Sequence, residues 1–250
     1  MATENDPVVD ADTLVVEGSA RPSARMPLDR ERIVAAAVAF IDRNGLATLS
    51  MRRLGSVLGV EGMSLYRYVP GREDLLDAVV ESIIDEMYED EDILQVPQHG
   101  WQDFLQRLAH GVRRIALAHP LAFPLVASRP PDAPWLRPPL RNLQWVESFL
   151  SGLVGEGFSD EAAVSAYRAF SSFLLGHLLL EVAASGADVG PLDVLDDGDS
   201  EDPELTTFPH VKRLKNALAE NHAAAEFEES LESLLDRLTL LHTEKLPPPQ

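Results

Sequence analysis

Apolar residues recur every three or four positions along most of this 250-residue chain, and Gly or Pro interrupts the recurrence between runs. Ile33, Ala37, Phe40 and Ile41 fall on one helical face, with Asp29 placed to cap its start and Gly45 to stop it. Ser50 is placed to cap a short helix with Met51, Leu54 and Leu58 inward, and Gly59 ends it. A second short helix is predicted over 63–68, where Pro70-Gly71 breaks the pattern. A longer helix then opens near Arg72, with Leu76, Val80, Ile83 and Met87 as its inner stripe. Further helices are predicted over 101–118, 140–152, 159–185, 211–221 and 227–242, several of them separated by proline-rich joints such as His119-Pro120 and RPPDAPWLRPP. No stretch alternates as a half-buried strand does, so the fold class expected is all-α.

The length allows a real core, and 45% hydrophobic with 25% charged residues is ordinary for a globular chain. There are no cysteines, which excludes disulfides, thiolate metal sites and thiol catalysis. Residues 1–27 are poor in aromatics, carry Pro7, Pro22 and Pro27, and read as a disordered tail. Residues 186–206 hold eight acids and no base and read as a solvated loop, and residues 246–250 as a Pro-rich tail. The remainder divides into a 28–72 unit and a helical 73–245 unit. No run approaches about 18 uninterrupted apolar residues, so the expectation is a soluble, cytoplasmic protein with no membrane partner.

Charge alters the picture. The formal net charge is −20, yet residues 1–20 sum to −5, 21–72 to +5 and 73–250 to −20. The one basic segment contains VLGVEGMSLYRYVPGREDLL, two short helices about a Gly-flanked turn with Val60 read as a buried turn residue. That is the outline of a helix-turn-helix, whose second helix enters the major groove. The DNA-binding candidates are Ser50, Arg52, Gly62, Met63, Ser64, Tyr66, Arg67, Tyr68 and Arg72. Arg52 can fork onto guanine and Met63 can meet a thymine methyl. Ser64, Tyr66, Tyr68 and Arg72 can bond phosphate. The bland counterpart is a helical hairpin with a solvated basic face.

The stretch RIVAAAVAFIDRNGLATLSMRRLGSVLGVEGMSLYRYVPGREDLLDAVV resembles the DNA-binding domain of TetR-family transcriptional regulators. WQDFLQRLAHGVRRIALAHPLAFPLVASRP, GEGFSDEAAVSAY and GHLLLEVA resemble the C-terminal domain of that family's tetracycline-repressor branch. The resemblance implies three DNA-binding helices joined by a linking helix to an all-α domain for ligand binding and dimerisation. It implies a homodimeric repressor on an inverted-repeat operator of double-stranded DNA, released by a small-molecule effector.

Ligand-binding candidates are Tyr88, Phe104, Leu108, Val112, Arg129, His177 and Glu181. Arg129 and Glu181 match family positions near the ligand, and His177 with Glu181 reads equally as a satisfied helical pair. Tyr167, Phe170, Leu174, Leu231, Leu234 and Leu238 lie on two seams spaced by three and four that read as monomer core, and the resemblance implies that these two helices also make the dimer. The branch's magnesium-ligating histidine has no counterpart between Leu125 and Arg129, and Leu108 and Val112 stand where it has polar groups. A mainly apolar effector that is not a metal chelate is therefore expected, with no cofactor and no metal. The alternative is an all-helical enzyme or adaptor without DNA binding, but no HExxH, EF-hand loop, GxSxG or phosphate-cradling Gly loop occurs.

Overall fold

The structure is a computed structural model that describes residues 27–90, 93, 96–128, 143–189 and 207–243. All regular structure among the described residues is helical. Residues 1–26 of the tail expected at 1–27, the whole tail expected at 246–250, most of the acidic loop and Arg129 lie outside them.

Helix α1 (Arg30–Asn44) begins where the Asp29 carboxylate accepts a hydrogen bond from the Arg32 N–H at 2.8 Å, satisfying one orphan donor of the first turn. It stops at Gly45. Helix α2 (Met51–Leu58) is capped by the Ser50 hydroxyl, which accepts from the Arg53 N–H at 3.3 Å. Gly59 ends it at φ 70°, a left-handed conformation that costs a residue with a Cβ about 1–2 kcal/mol.

Helix α3 (Gly62–Leu65) is shorter than the 63–68 helix the spacing predicts. The Tyr68 and Val69 N–H groups both converge on the Leu65 carbonyl, at 2.9 and 3.0 Å, and Pro70 has no N–H to extend the ladder. Tyr66 to Tyr68 therefore form a turn. Helix α4 (Arg72–Glu89) and helix α5 (Trp101–Ala118) lie where the pattern places them.

Helix α6 (Phe123–Ser128) was not foreseen, because His119-Pro120 reads as a joint. The His119 carbonyl accepts from Ala122 and Phe123, at 3.1 and 2.8 Å, and turns the chain straight back into helix. Helix α7 (Leu143–Gly155) runs three residues past the expected end. Helix α8 (Asp160–Ala184) is capped by Ser159. Helix α9 (Pro209–Ala219) starts two residues early because Pro209 suits a first helical turn, and helix α10 (Ala223–Thr243) starts four residues early through its alanines.

One continuous apolar cluster joins the helices. Ile33, Ala37 and Ile41 of α1 face α2 and α4, and α4 continues onto α5 and α6. Helix α8 is the centre of the rest, packed by α5, α6, α7 and α10. It is long and apolar enough, with a mean hydropathy of 1.2 over 18 residues, to cross a membrane. Ala166, Tyr167, Phe170, Leu178 and Val182 are nonetheless buried against its neighbours, as in the core helix of a globular fold. Each fully buried Leu or Phe contributes about 1.5–3 kcal/mol relative to exposure. Helix α9 buries none of its residues.

Candidate nucleic-acid interface and effector cavity

Helices α2 and α3 meet backbone to backbone. A Cβ on Gly62 would stand 3.0 Å from the Met51 carbonyl oxygen and 3.1 Å from the Arg52 Cα. Leu54 and Leu65 are fully buried beneath this crossing, while Leu58 and Val60 are half-buried, so Val60 is less enclosed than the sequence suggests. The Val60 N–H closes the turn onto the Gly55 carbonyl at 2.9 Å.

This packing turns the polar and aromatic side chains outward. Met63 is 77% exposed, Tyr66 42% and Tyr68 36%, although large apolar surface is ordinarily buried. Arg52 and Arg67 are exposed and have no ion-pair partner among the described residues. Arg72 opens α4 beside Glu73, at 3.6 Å. Ser50 and Ser64 bond locally, Ser50 as the α2 cap and Ser64 to the Glu61 carbonyl at 2.6 Å. Gly62 presents no side chain and lets α3 sit close. The nine residues thus share one end of the molecule, with Arg52, Arg67, Met63, Tyr66 and Tyr68 available to a partner.

The second site is a cavity of about 100 Å³ among α4, α5, α6, α7 and α8. Its walls include Ile84 and Met87 of α4, Leu108 and Val112 of α5, Phe123 and Val126 of α6, Trp145 and Phe149 of α7, and Tyr167, Phe170, Ser171 and Leu174 of α8. Among the described residues no carboxylate or histidine lines it. The Tyr167 and Ser171 hydroxyls supply hydrogen-bonding groups, and burial pushes the Tyr167 phenol above its ordinary range, partly offset by its hydrogen bond with Ser171. Phe149 ties the aromatic wall together, with ring centroids 5.7 Å from Tyr167 and 5.4 Å from Phe170.

Several sequence candidates fall elsewhere. Leu108 and Val112 line the cavity, but Phe104 is core behind Phe149, and Tyr88 packs beside Trp145 at 5.2 Å. Glu181 is engaged by Arg113, whose Nε donates at 3.0 Å and Nη2 at 2.6 Å. The Arg113 guanidinium also lies 5.1 Å from the Phe227 ring centroid. His177 Nε2 sits 3.1 Å from the Ala223 carbonyl oxygen and 4.0 Å from Glu181. His177 and Glu181 therefore join α8 to α5 and α10 and do not line the cavity.

Tyr167, Phe170 and Leu174, dimer contacts by the family resemblance, turn inward to the cavity. Leu231 and Leu238 are buried within the chain and Leu234 is half-buried. Spacing identifies a buried face but not what buries it. Sequence reasoning missed Phe123, Trp145, Phe149 and Ser171, because short α6 carries too few turns to show a period and Ser171 is one hydroxyl on an apolar helix.

A helix-turn-helix at one end and an apolar cavity within a helical body define a one-component regulator class. Residues 95–240 match the family described as tetracyclin repressor-like, C-terminal domain. The transcriptional repressor DrrR1 of Streptomyces coeruleorubidus is 32% identical over 158 residues, covering 62% of this chain and 55% of DrrR1. The chain thus spans about half the length of that curated relative. A possible TetR family transcriptional regulator from Streptomyces coelicolor A3(2) superposes with a TM-score of 0.67 at 30% identity, covering 85% of this chain and all of the other. ActR from Streptomyces coelicolor, in complex with actinorhodin, superposes with a TM-score of 0.63 at 26% identity, covering 87% of this chain and all of ActR. The chain belongs to the TetR family of transcriptional regulators, which are not enzymes.

Proposed function

We propose that this chain is a ligand-responsive transcriptional repressor of the cytoplasm, acting as a homodimer on an inverted-repeat operator and released by a small, mainly apolar effector. The observation that carries the reading is the position of α4. It packs on α1, which supports α2 and α3, and its Ile84 and Met87 wall the cavity. A molecule in the cavity and a duplex on α3 thus bear on one helix, as two linked equilibria require. The basic segment 21–72 within an acidic chain supports DNA as the partner.

Five aromatic rings in the cavity wall favour a flat aromatic effector, and the relative ActR holds a small molecule, actinorhodin. Among the described residues the lining offers no anionic or imidazole group for a bridging metal, which supports an effector that is not a chelate. The test is selection of duplexes from a random pool by the purified protein, with mass spectrometry of the small molecules that co-purify. An enriched inverted repeat, and an aromatic compound that lowers its affinity equally with and without EDTA, are expected. Absence of any enriched sequence would overturn the reading.

A further inference from the structure

His119 stands where α1, α4 and the start of α6 meet, and both nitrogens of its ring face carboxylates. Nδ1 lies 2.7 Å from Asp42 Oδ2 on α1, and Nε2 lies 3.0 Å from Glu86 Oε2 on α4. An ionised carboxylate only accepts, so each contact needs a proton on the ring nitrogen. Neutral imidazole carries one such proton and satisfies one contact. The imidazolium satisfies both. The hydrogen bond to Asp42, then that to Glu86, outweigh burial and raise the His119 pKa to about 9.

Among the described residues, Asp42 and Glu86 are the charged groups that act on the ring. Asp42 is the group that reaches it from α1 and Glu86 from α4. Helix α6, FPLVAS, carries no titratable group. On α5 the closest charged residue in sequence, Arg114, is held by Asp90 at 2.6 Å.

Asp42 depends on this contact. Its Oδ1 is buried with no hydrogen-bond partner, so Oδ2 on His119 is its anchor. A neutral His119 could not donate to both acids, and the half-buried Asp42 carboxylate would lose its countercharge. The neighbours give the joint its meaning. Glu86 is flanked by the cavity walls Ile84 and Met87, and the His119 carbonyl accepts from the N–H of Phe123, another wall. His119 therefore joins, through its ring and its carbonyl, the helix that supports α2 and two segments that enclose the cavity.

We propose that His119 is a positioning residue, a proton-closed clasp between the DNA-binding helices and the cavity walls, through which pH sets operator affinity alongside the effector. The proposal rests on the regulator reading above. With the clasp closed, α1 is fixed against α4 before DNA arrives. With His119 neutral the ring can hold only one of the two carboxylates, the α1–α4 link opens, and operator binding must order what was ordered already.

The experiment compares wild type, His119→Gln, His119→Arg and Glu86→Gln between pH 6 and 10. One readout is the melting temperature without DNA, and the other is affinity for the selected duplex by fluorescence anisotropy. In wild type both fall as pH rises through about 9, with affinity down roughly tenfold. Glu86→Gln moves both midpoints toward pH 6.5, because one of the two carboxylates holding the proton is gone. His119→Arg stays charged throughout, so it binds tightly with no step, and His119→Gln binds weakly with no step. A step that persists unshifted in Glu86→Gln, or none in wild type, overturns the clasp. If His119→Gln does not fold, Glu86→Gln decides, since it keeps both the ring and Asp42. Protein that binds no duplex yet shows a melting step that shifts overturns the regulator reading and leaves the clasp standing.

Discussion

Gly55 of α2 and Gly62 of α3 lie against each other with no room for a methyl group on Gly55. A Cβ there would stand 2.8 Å from the Gly62 nitrogen and 2.9 Å from the Val60 carbonyl oxygen. Both obstacles are backbone and cannot rotate away. Gly55→Ala is expected to destabilise the α2–α3 unit by about 1–3 kcal/mol, the usual cost of overpacking, and to weaken operator binding. Gly62→Ala meets looser contacts and costs less. Thermal unfolding of the two variants ranks them, and a Gly55→Ala protein that melts with wild type would show that the helices are not packed this closely.

Arg52 and Arg72 are expected to fail in different ways. Arg52→Ala should relax discrimination at one base pair, by about 1–3 kcal/mol for a lost bidentate contact. Arg72→Ala should weaken all duplexes alike and reduce the salt slope by about one phosphate. Anisotropy titrations at several salt concentrations, on the selected site and its single-base variants, separate the two. Equal losses on every sequence for Arg52→Ala would remove it from the base-reading set.

Leu108→Trp or Val112→Phe fills the effector cavity from the α5 side. Such proteins should hold the operator with near-normal affinity and resist release by the co-purified aromatic compound. Wild-type coupling of about 1–3 kcal/mol, or 5–150-fold, should fall toward none. Undiminished release in both variants would place the effector elsewhere.

The Arg113–Glu181 pair is enclosed, at 19% and 10% side-chain exposure. Arg113→Met alone strands the Glu181 carboxylate and is expected to cost about 3–5 kcal/mol. The double variant with Glu181→Leu should regain most of it, because neither charge is then unpaired. Denaturant unfolding of the two single and one double variants closes the cycle. A double variant as unstable as Arg113→Met would show that the pair matters through packing.

Much of the helical framework was legible because helix ends announce themselves chemically. Asp29, Ser50 and Ser159 each cap a helix where a hydroxyl or carboxylate precedes an apolar run, and Gly45 and Gly59 stop one. Helix α6 was not legible, since six residues after a proline make under two turns and show no period. Leu108 and Val112 were read as cavity residues from their face of α5. The family resemblance implies dimer contacts for Tyr167, Phe170 and Leu174, while their spacing of three and four marks burial without naming the partner. The acid pair on His119 was also hidden, as Asp42, Glu86 and His119 are brought together by the fold and by nothing local.

Helix α4 has a mechanical consequence. Its 18 residues form a rod of about 27 Å, with Met87 in its last turn and α3 joined to its first turn through residues 66–71. A tilt of about 5° at the cavity end sweeps the far end through about 2 Å. Two symmetry-related rods tilting oppositely would change the spacing of their reading heads by roughly twice that, measured against half-sites about 34–36 Å apart. Leverage of this kind means a bound molecule can exert control through a displacement smaller than a carbon–carbon bond at the wall it touches, and that stiffness along α4 matters as much as affinity in the cavity.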